Sequence, residues 1–461
     1  MNSKVLLIIP DGVGIRNYLY SNIITHLKSR AELTFWSTLP KDAFKTVFEI
    51  HNCKAETKQI KLDVEGFITR LLRESSTFAR LKSNSKKVNN VTILHNWNYK
   101  PKGIKRKMLN ALSQIIGTWA SSKYSRILYL ERKAKSFWKR SLIEKHKADL
   151  KKLNPQSIFI THQRVSGLMP ICIAAKELGI KIVSTIYSWD NIPKARLAIE
   201  ADIYTVWSNY MKREMMLFYP EIGSNKIVVT GTPQFEFYLN KDRVISREKF
   251  AKKYGLDLNK KWICFSGDDI KTSPYDANYL NDVLEANQFI KDDIRPQIIF
   301  RRCPVDFSSR YDKALSTYND VVSIDPLWHT PKGNDNWGAY FPKYEDINMQ
   351  VNLAYHCDAV INLGSTMAHD FTMFNKPCFY LNYDPVKDNN WSVKYIYNFQ
   401  HFRSMKELNA VEWLNSKEEI KTKMLSLISS SNTLSKEKKE WFKIVNLHPV
   451  DLNSKLIADV L

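Results

Sequence analysis

Between Cys357 and Asp384 the sequence runs from a short apolar segment, Ala359 to Leu363, into Gly364-Ser365-Thr366. A helical pattern follows, with Met367, Phe371 and Phe374 on one side. Asn375-Lys376-Pro377 stops it, and Cys378 to Leu381 is apolar again. A continuous apolar run of this length suits a strand buried on both faces. The stretch therefore reads as a β-α-β unit, the building block of an α/β fold. Its small turn leaves backbone N–H groups unpaired at the positive end of a helix dipole, which suits a phosphate. Ser and Thr there equally suit an ordinary helix cap.

The same alternation recurs along the chain. Val5 to Ile9 reads as a first parallel strand, followed by the loop Pro10 to Asn17 and a helical pattern through Leu19, Ile23, Ile24 and Leu27. This is the opening of a Rossmann-like domain. The loop is not a full G-x-G-x-x-G, so it gives little support to dinucleotide binding. Gly12 and Gly14 instead let backbone and substrate approach closely, with Arg16 in the same loop. Further strands are predicted at 33–36, 157–160, 181–186, 202–207 and 226–230. A second series begins at Trp262 to Phe265, ends in Ser266-Gly267-Asp268-Asp269, and continues at 297–300 and 321–324.

Loops at the carboxyl ends of parallel strands are where such sheets bind ligands. Asp11, His162 and Asp190 all fall at such ends and are predicted to converge in one cleft. The expected architecture is α/β, two Rossmann-like domains facing across a cleft: residues 1–238, then 239–403, with helices over 404–461 that pack back on the first domain.

At 461 residues the chain exceeds what one core usually serves. Its net charge of +22 is concentrated: residues 71–155 hold 21 Lys and Arg against 4 Asp and Glu. That segment interleaves Trp97, Tyr99, Trp119, Tyr124, Tyr129 and Trp138 with its basic residues, and reads as largely helical from Leu109 to Leu150. It is predicted to be a basic helical insertion in the first domain. Basic and aromatic side chains together suit an anionic membrane surface. Nucleic-acid phosphates and a solvated helical face are the alternatives. The six cysteines, at 53, 172, 264, 303, 357 and 378, show no metal-ligand spacing and read as reduced thiols. No apolar run is long enough to span a membrane. The expected location is cytoplasmic, peripheral at the inner membrane face.

Ser188-Trp189-Asp190-Asn191, Val206-Trp207-Ser208, Val229 to Pro233, Arg301 to Pro304, Gly364 to Asp370 and Lys376-Pro377 occur in that order. Over residues 155–385 the chain resembles bacterial glycosyltransferases of the two-Rossmann-domain (GT-B) architecture. In particular it is similar to the CDP-glycerol glycerophosphotransferases of teichoic acid synthesis. The resemblance implies an activated nucleotide donor on the second domain and an acceptor on the first. The chain departs from that family at Trp189-Asp190-Asn191, where a Trp-His-Gly-Thr element is usual, and at Arg301-Arg302-Cys303-Pro304, where Arg-x-His-Pro is usual. Both departures remove a histidine and favour sugar transfer over glycerol-phosphate transfer.

Sugar transfer needs a base for the acceptor hydroxyl, stabilisation of the leaving diphosphate, and alignment of the reactants. Asp190 is the first candidate base, Asp11 the second and His162 the third. Gly364, Ser365, Thr366 and Arg301 are candidates for the donor phosphates, and Ser266, Gly267 and Asp268 for the rest of the donor. Arg302 is expected to point away, because adjacent strand residues alternate faces. No metal ligand set and no cofactor are predicted. The expected function is transfer of a sugar from a nucleotide-sugar donor to a lipid-linked or polysaccharide acceptor in surface glycan synthesis. CDP-polyol phosphotransfer and non-catalytic nucleic-acid binding are the competing readings.

Overall fold

The computed structural model describes residues 3–97, 101, 103–330, 339–429 and 436–461. Tyr99, one of the aromatic residues of the basic segment, lies outside them. The chain divides into two compact units. The first comprises Met1–Pro233, Phe399–Arg403 and Ile444–Leu461, and the second Gln234–Asn398 and Ser404–Lys443.

The apolar run at the start becomes strand β1 (Ser3–Ile9), buried from Val5 onward. The first unit adds β2 (Ala31–Ser37), β3 (Glu56–Gln59), β4 (Ser157–Ile160), β5 (Lys181–Thr185), β6 (Ile203–Val206) and β7 (Ile227–Val229). All pair in parallel, in the order β3-β2-β1-β4-β5-β6-β7. From β1 the chain builds outward to β3, then returns to place β4 on the other side of β1. The strand order therefore reverses between β1 and β4. In an open parallel sheet that reversal leaves a crevice beyond the strand ends, since the flanking loops diverge there.

The basic segment occupies the return from β3 to β4. Its helices are Phe67–Lys87, Ile104–Ala120, Tyr124–Ser136 and Arg140–Leu153. They form a small core of their own from Ala79, Ala120, Ile127 and Leu130, with Leu72, Ile116 and Tyr124 against it. Gly117 allows the Ile104–Ala120 helix to lie close to its neighbour: a Cβ there would stand 2.6 Å from the Ser75 carbonyl oxygen. Arg80, only 2% exposed, ties the insertion down. It donates to both Glu131 oxygens at 2.5 and 2.8 Å, to Glu221 at 2.5 Å, to Tyr124 Oη at 2.9 Å and to the Phe218 carbonyl at 3.1 Å. A buried guanidinium is tolerated only when its donors are satisfied in this way.

The C-terminal stretch also contributes to the first unit. Leu447 N donates to the Trp207 carbonyl at 2.8 Å, Thr232 N to Asn446 Oδ1 at 2.8 Å, and Asn453 Nδ2 to the Thr232 carbonyl at 3.0 Å.

The second unit holds β8 (Trp262–Ser266), β9 (Gln297–Arg301), β10 (Val322–Ser323), β11 (Trp328–His329), β12 (Phe341–Pro342), β13 (Ala359–Asn362), β14 (Cys378–Leu381) and β15 (Glu412–Leu414). Its main sheet is parallel in the order β10-β9-β8-β13-β14-β15, with β11 and β12 forming a separate antiparallel pair. Here the order reverses between β8 and β13. Both units are thus Rossmann-like, the first carrying the basic helical insertion. All six cysteines are free thiols, four of them buried. Among the described residues no helix is long and apolar enough to cross a membrane.

Candidate active site

In the first unit the reversal point brings two of the predicted residues together. β1 delivers Pro10 and Asp11, and β4 delivers Thr161 and His162. Asp11 has an extended backbone and caps the turn after it, accepting from Gly14 N at 3.2 Å. Its other carboxylate oxygen meets His162 Nδ1. His162 is 6% exposed, and its ring lies edge-on to Tyr187 at 4.1 Å. Its second nitrogen, Nε2, is buried with no hydrogen-bond partner. A carboxylate against Nδ1 favours the proton on that nitrogen and leaves Nε2 with a free lone pair.

Close packing sets this geometry. A Cβ on Gly14 would stand 2.5 Å from Thr161 Oγ1 and 3.1 Å from Ile9 Cγ2, so the loop after β1 can lie against the end of β4 only with glycine at this position. Gly12 is buried in the same turn. Arg16 follows it, donating to Asn17 Oδ1 at 3.0 Å.

Asp190 is held differently. Its carboxylate accepts from Ser188 Oγ at 2.6 Å and Asn191 Nδ2 at 2.8 Å, and pairs with Lys194. Burial pushes this acid up, but Lys194, His401 and the hydrogen bonds outweigh it and hold the carboxyl well below the usual range. A carboxylate so fully satisfied is a weak base. Asp190 instead anchors a polar chain in which Asn191 Oδ1 accepts from Gln163 Nε2 and from Arg164, each at 3.3 Å. His401, which the sequence did not single out, stacks edge-on against Trp189 at 4.5 Å, and burial lowers it to about 4.

The second unit repeats the arrangement at its own reversal point, where β8 ends in Gly267-Asp268 and β13 in Gly364-Ser365. Gly364 has φ +72°, a left-handed conformation that glycine adopts without strain. The turn closes partly on itself. Ser365 N donates to Asn362 Oδ1 at 2.9 Å, Met367 N donates to Ser365 Oγ at 3.3 Å, and Tyr380 Oη donates to the Ser365 carbonyl at 3.0 Å. The helix after Thr366 is short, Met367–Thr372, and the Ser365 amide expected to point outward is taken.

Arg301 has a different neighbour from the expected phosphate. It is buried and donates to Asp346 Oδ1 at 2.8 Å. Asp346 also accepts from Leu327 N at 2.8 Å and Trp328 Nε1 at 3.0 Å. Arg302 instead lines a cavity of about 410 Å³ with Pro304, Asp306, Ser308, Asp325 and Trp328. It lies beyond the end of β9, where strict alternation no longer governs.

Beside Gly267, Asp276 is fully buried and accepts from Tyr311 Oη at 2.7 Å, Ser273 Oγ at 2.9 Å and Asp268 N at 3.1 Å. Burial lifts it to about 6. Burial, and then the charges of Asp269 and Asp276, push Asp268 well above the ordinary carboxyl value. Asp268 Oδ1 accepts from Asp269 N at 2.8 Å. Asp276 and Tyr311 carry no motif, and only folding brings them to Gly267. Ser266, the last residue of β8, is buried. Among the described residues no group of three or more His, Cys, Asp or Glu could hold a metal ion.

No protein-family model matches this chain, and no curated protein is similar to it in sequence. Solved structures are similar in fold. The UDP-GlcNAc 2-epimerase from Neisseria meningitidis, solved with UDP-GlcNAc bound, has a TM-score of 0.53 at 12% identity, covering 99% of this chain and 98% of its own. The UDP-GlcNAc 2-epimerase from Methanocaldococcus jannaschii gives 0.53 at 11%, covering 100% and 99%. A glycosyltransferase from Rickettsia africae gives 0.52 at 11%, covering 100% and 97%. The likeness shows the fold: a two-domain, GT-B-like α/β architecture over the whole chain.

Proposed function

We propose that the protein is a glycosyltransferase that moves a sugar from a nucleotide-sugar donor to a hydroxyl of a lipid-linked or polysaccharide acceptor in surface glycan synthesis. The observation that carries this reading is the Asp11–His162 pair at the reversal point of the first sheet, with Nε2 buried and unpartnered. His162 Nε2 takes the proton of the acceptor hydroxyl, while Asp11 fixes the ring and stabilises the imidazolium that forms. The acceptor oxygen bonds to the anomeric carbon as the bond from that carbon to the nucleoside diphosphate breaks. The donor is assigned to the second reversal point, with Gly364 and Thr366 at its phosphates, Asp268 beside the rest of the donor and Gly267 permitting close approach. The reaction as written draws on no metal or cofactor. Support for a nucleotide sugar comes from the fold neighbours, one of which holds UDP-GlcNAc.

The place of action is assigned to an anionic membrane surface, the inner face of the cell membrane. On the Ile104–Ala120 helix, Ser113, Gly117 and Ala120 face inward. Ile104, Met108, Ile115 and Trp119 stand outward at 78, 58, 68 and 51% exposure. Their spacing of 4, 7 and 4 residues keeps them on one face. Lys105 and Lys107 flank that face, so an apolar stripe and a cationic border coincide. The stripe favours a membrane over nucleic acid, which would have no use for it.

Binding to a panel of UDP-, GDP- and CDP-sugars, CDP-polyols and duplex DNA, followed by turnover with and without acceptor, tests both parts. Sugar transfer lost in His162→Gln supports the reading. Turnover of a CDP-polyol would transfer the assignment to phosphopolyol chemistry, and epimerisation without acceptor would make it an epimerase. Equal partition onto neutral and anionic vesicles would remove the membrane assignment.

A further inference from the structure

The first unit contains an open cavity of about 410 Å³ lined by the insertion helices and the loop before β6, within the size range of small-molecule sites. One part of its wall is apolar, formed by Leu128, Ala134, Trp138, Met169, Leu197 and Tyr204. Another carries Arg73, Arg164 and Arg196 with the hydroxyls of Thr69 and Ser166, and Glu65, Glu131, Glu200 and Glu221 also line the cavity.

These arginines are unequally satisfied. Arg73 is held by both Glu65 oxygens at 2.5 and 2.7 Å and by Glu74 at 3.0 Å. Arg196 reaches Glu74 only at 3.5 Å, and Arg164 reaches Asn191 only at 3.3 Å, both beyond the usual range for a guanidinium bond. Burial, then the like charges of Arg73 and Arg164 against the attraction of Glu74, pull Arg196 below the ordinary arginine value. Arg164 and Arg196 thus have N–H groups to offer an anion beyond these long contacts. Guanidinium groups bind phosphate through paired N–H bonds, which is the interaction Arg164 and Arg196 have left unused.

We propose that this cavity binds a phosphate-bearing amphiphile, its phosphate between Arg164 and Arg196 and its hydrocarbon chain along Leu128, Ala134 and Trp138. Arg164 lies two residues after His162, so the occupied cavity would border the loop that carries the base. This names the acceptor class for the proposed transfer and rests on that reading for its role, though not for the binding itself.

The test uses the full chain without donor and three probes: dodecyl phosphate below its micelle concentration, dodecanol, and inorganic phosphate. Calorimetry should find dodecyl phosphate bound at least about tenfold more tightly than either other probe, a difference large enough to separate two-part from one-part recognition. Arg164→Gln with Arg196→Gln should lose roughly tenfold for dodecyl phosphate without a lower melting temperature, since the substitutions relieve like-charge crowding. Ala134→Trp, which fills the apolar part, should lose as much. Equal affinity in both variants would overturn the site, as would dodecanol binding as tightly as dodecyl phosphate. Inorganic phosphate binding as tightly would replace it with a simple anion site. Trp119→Ser should leave binding unchanged; a loss there would assign it to the outer helix face instead. His162→Gln should bind like the wild type, so a failed cavity and a failed catalytic assignment give different results.

Discussion

His162 Nδ1 faces the carboxylate of Asp11, 151 residues earlier in the chain, while Nε2 on the far side of the ring is buried and unpartnered. Two adjacent parallel strands, β1 and β4, end at the same level and hold the pair there, with Ile8 paired to Ile160. The insertion separates these residues in sequence without separating them in space.

Removing the imidazole should affect the chemical step alone. His162→Gln is expected to lower kcat by roughly 10² to 10⁴, with donor affinity retained. Asp11→Asn keeps a capping side chain for Gly14 N, since Asn caps as well as Asp, but removes the charge beside the imidazolium. It should lower kcat while the melting temperature changes little. Steady-state kinetics beside calorimetric donor titrations check both.

Glu214 predicts a pH dependence of stability. Burial lifts this carboxyl to about 8, against the weaker opposing effects of Gln400 and Arg403. Below the ordinary value of about 4.3 both folded and unfolded chains hold the proton, and the stabilisation is fully present. As pH rises, the unfolded chain releases its proton first, so stability falls until the folded group also titrates near 8. Glu214→Gln should flatten this slope and add roughly 2–4 kcal/mol at pH 8. Thermal melts at pH 5 and pH 8 measure it.

Arg80 predicts a local collapse. Arg80→Met leaves Glu131 and Glu221 without their guanidinium and should cost about 3–5 kcal/mol. Hydrogen exchange should rise first in Phe67–Lys87 and Tyr124–Ser136. Neutralising both acids in the same chain should restore most of the protection.

Arg301 behaves as a structural partner of Asp346. Arg301→Ala should destabilise the second unit by a similar 3–5 kcal/mol, whereas Arg302→Ala, which loses a bond to the Ser308 carbonyl at 2.7 Å but leaves no buried charge unpaired, should cost only about 1 kcal/mol. Chemical denaturation of the two variants separates the roles.

The sheets were legible because a strand buried on both faces writes a continuous apolar run, as at Val5–Ile9 and Ala359–Asn362. The edge strand β3, Glu-Thr-Lys-Gln, writes none: an edge needs no apolar surface, and the stretch reads as loop. Strand ends pointed to Asp11 and His162 but not to their being partners, because pairing follows from strand order, and an insertion hides that order. Asp190 reads as a base from its loop position, whereas its pairing with Lys194 depends on how the loop folds. Arg301 was placed by its strand end, while its partner Asp346 sits on a helix 45 residues away with nothing periodic to announce it. The outward face of Ile104–Ala120 was legible only as composition; which side is buried depends on the neighbouring helix.

Gly14→Ala should cost about 1–3 kcal/mol by overpacking, and Thr161→Ala in the same chain should recover most of it, as paired melts would show. The close approach of these two positions also bears on how relatives of this chain can diverge. Any lineage that enlarges residue 14 must shrink residue 161 in step or shift the β1 loop off the end of β4. The two sites are therefore expected to change together across an alignment, and a lineage that breaks the pairing should also have lost the Asp11–His162 couple.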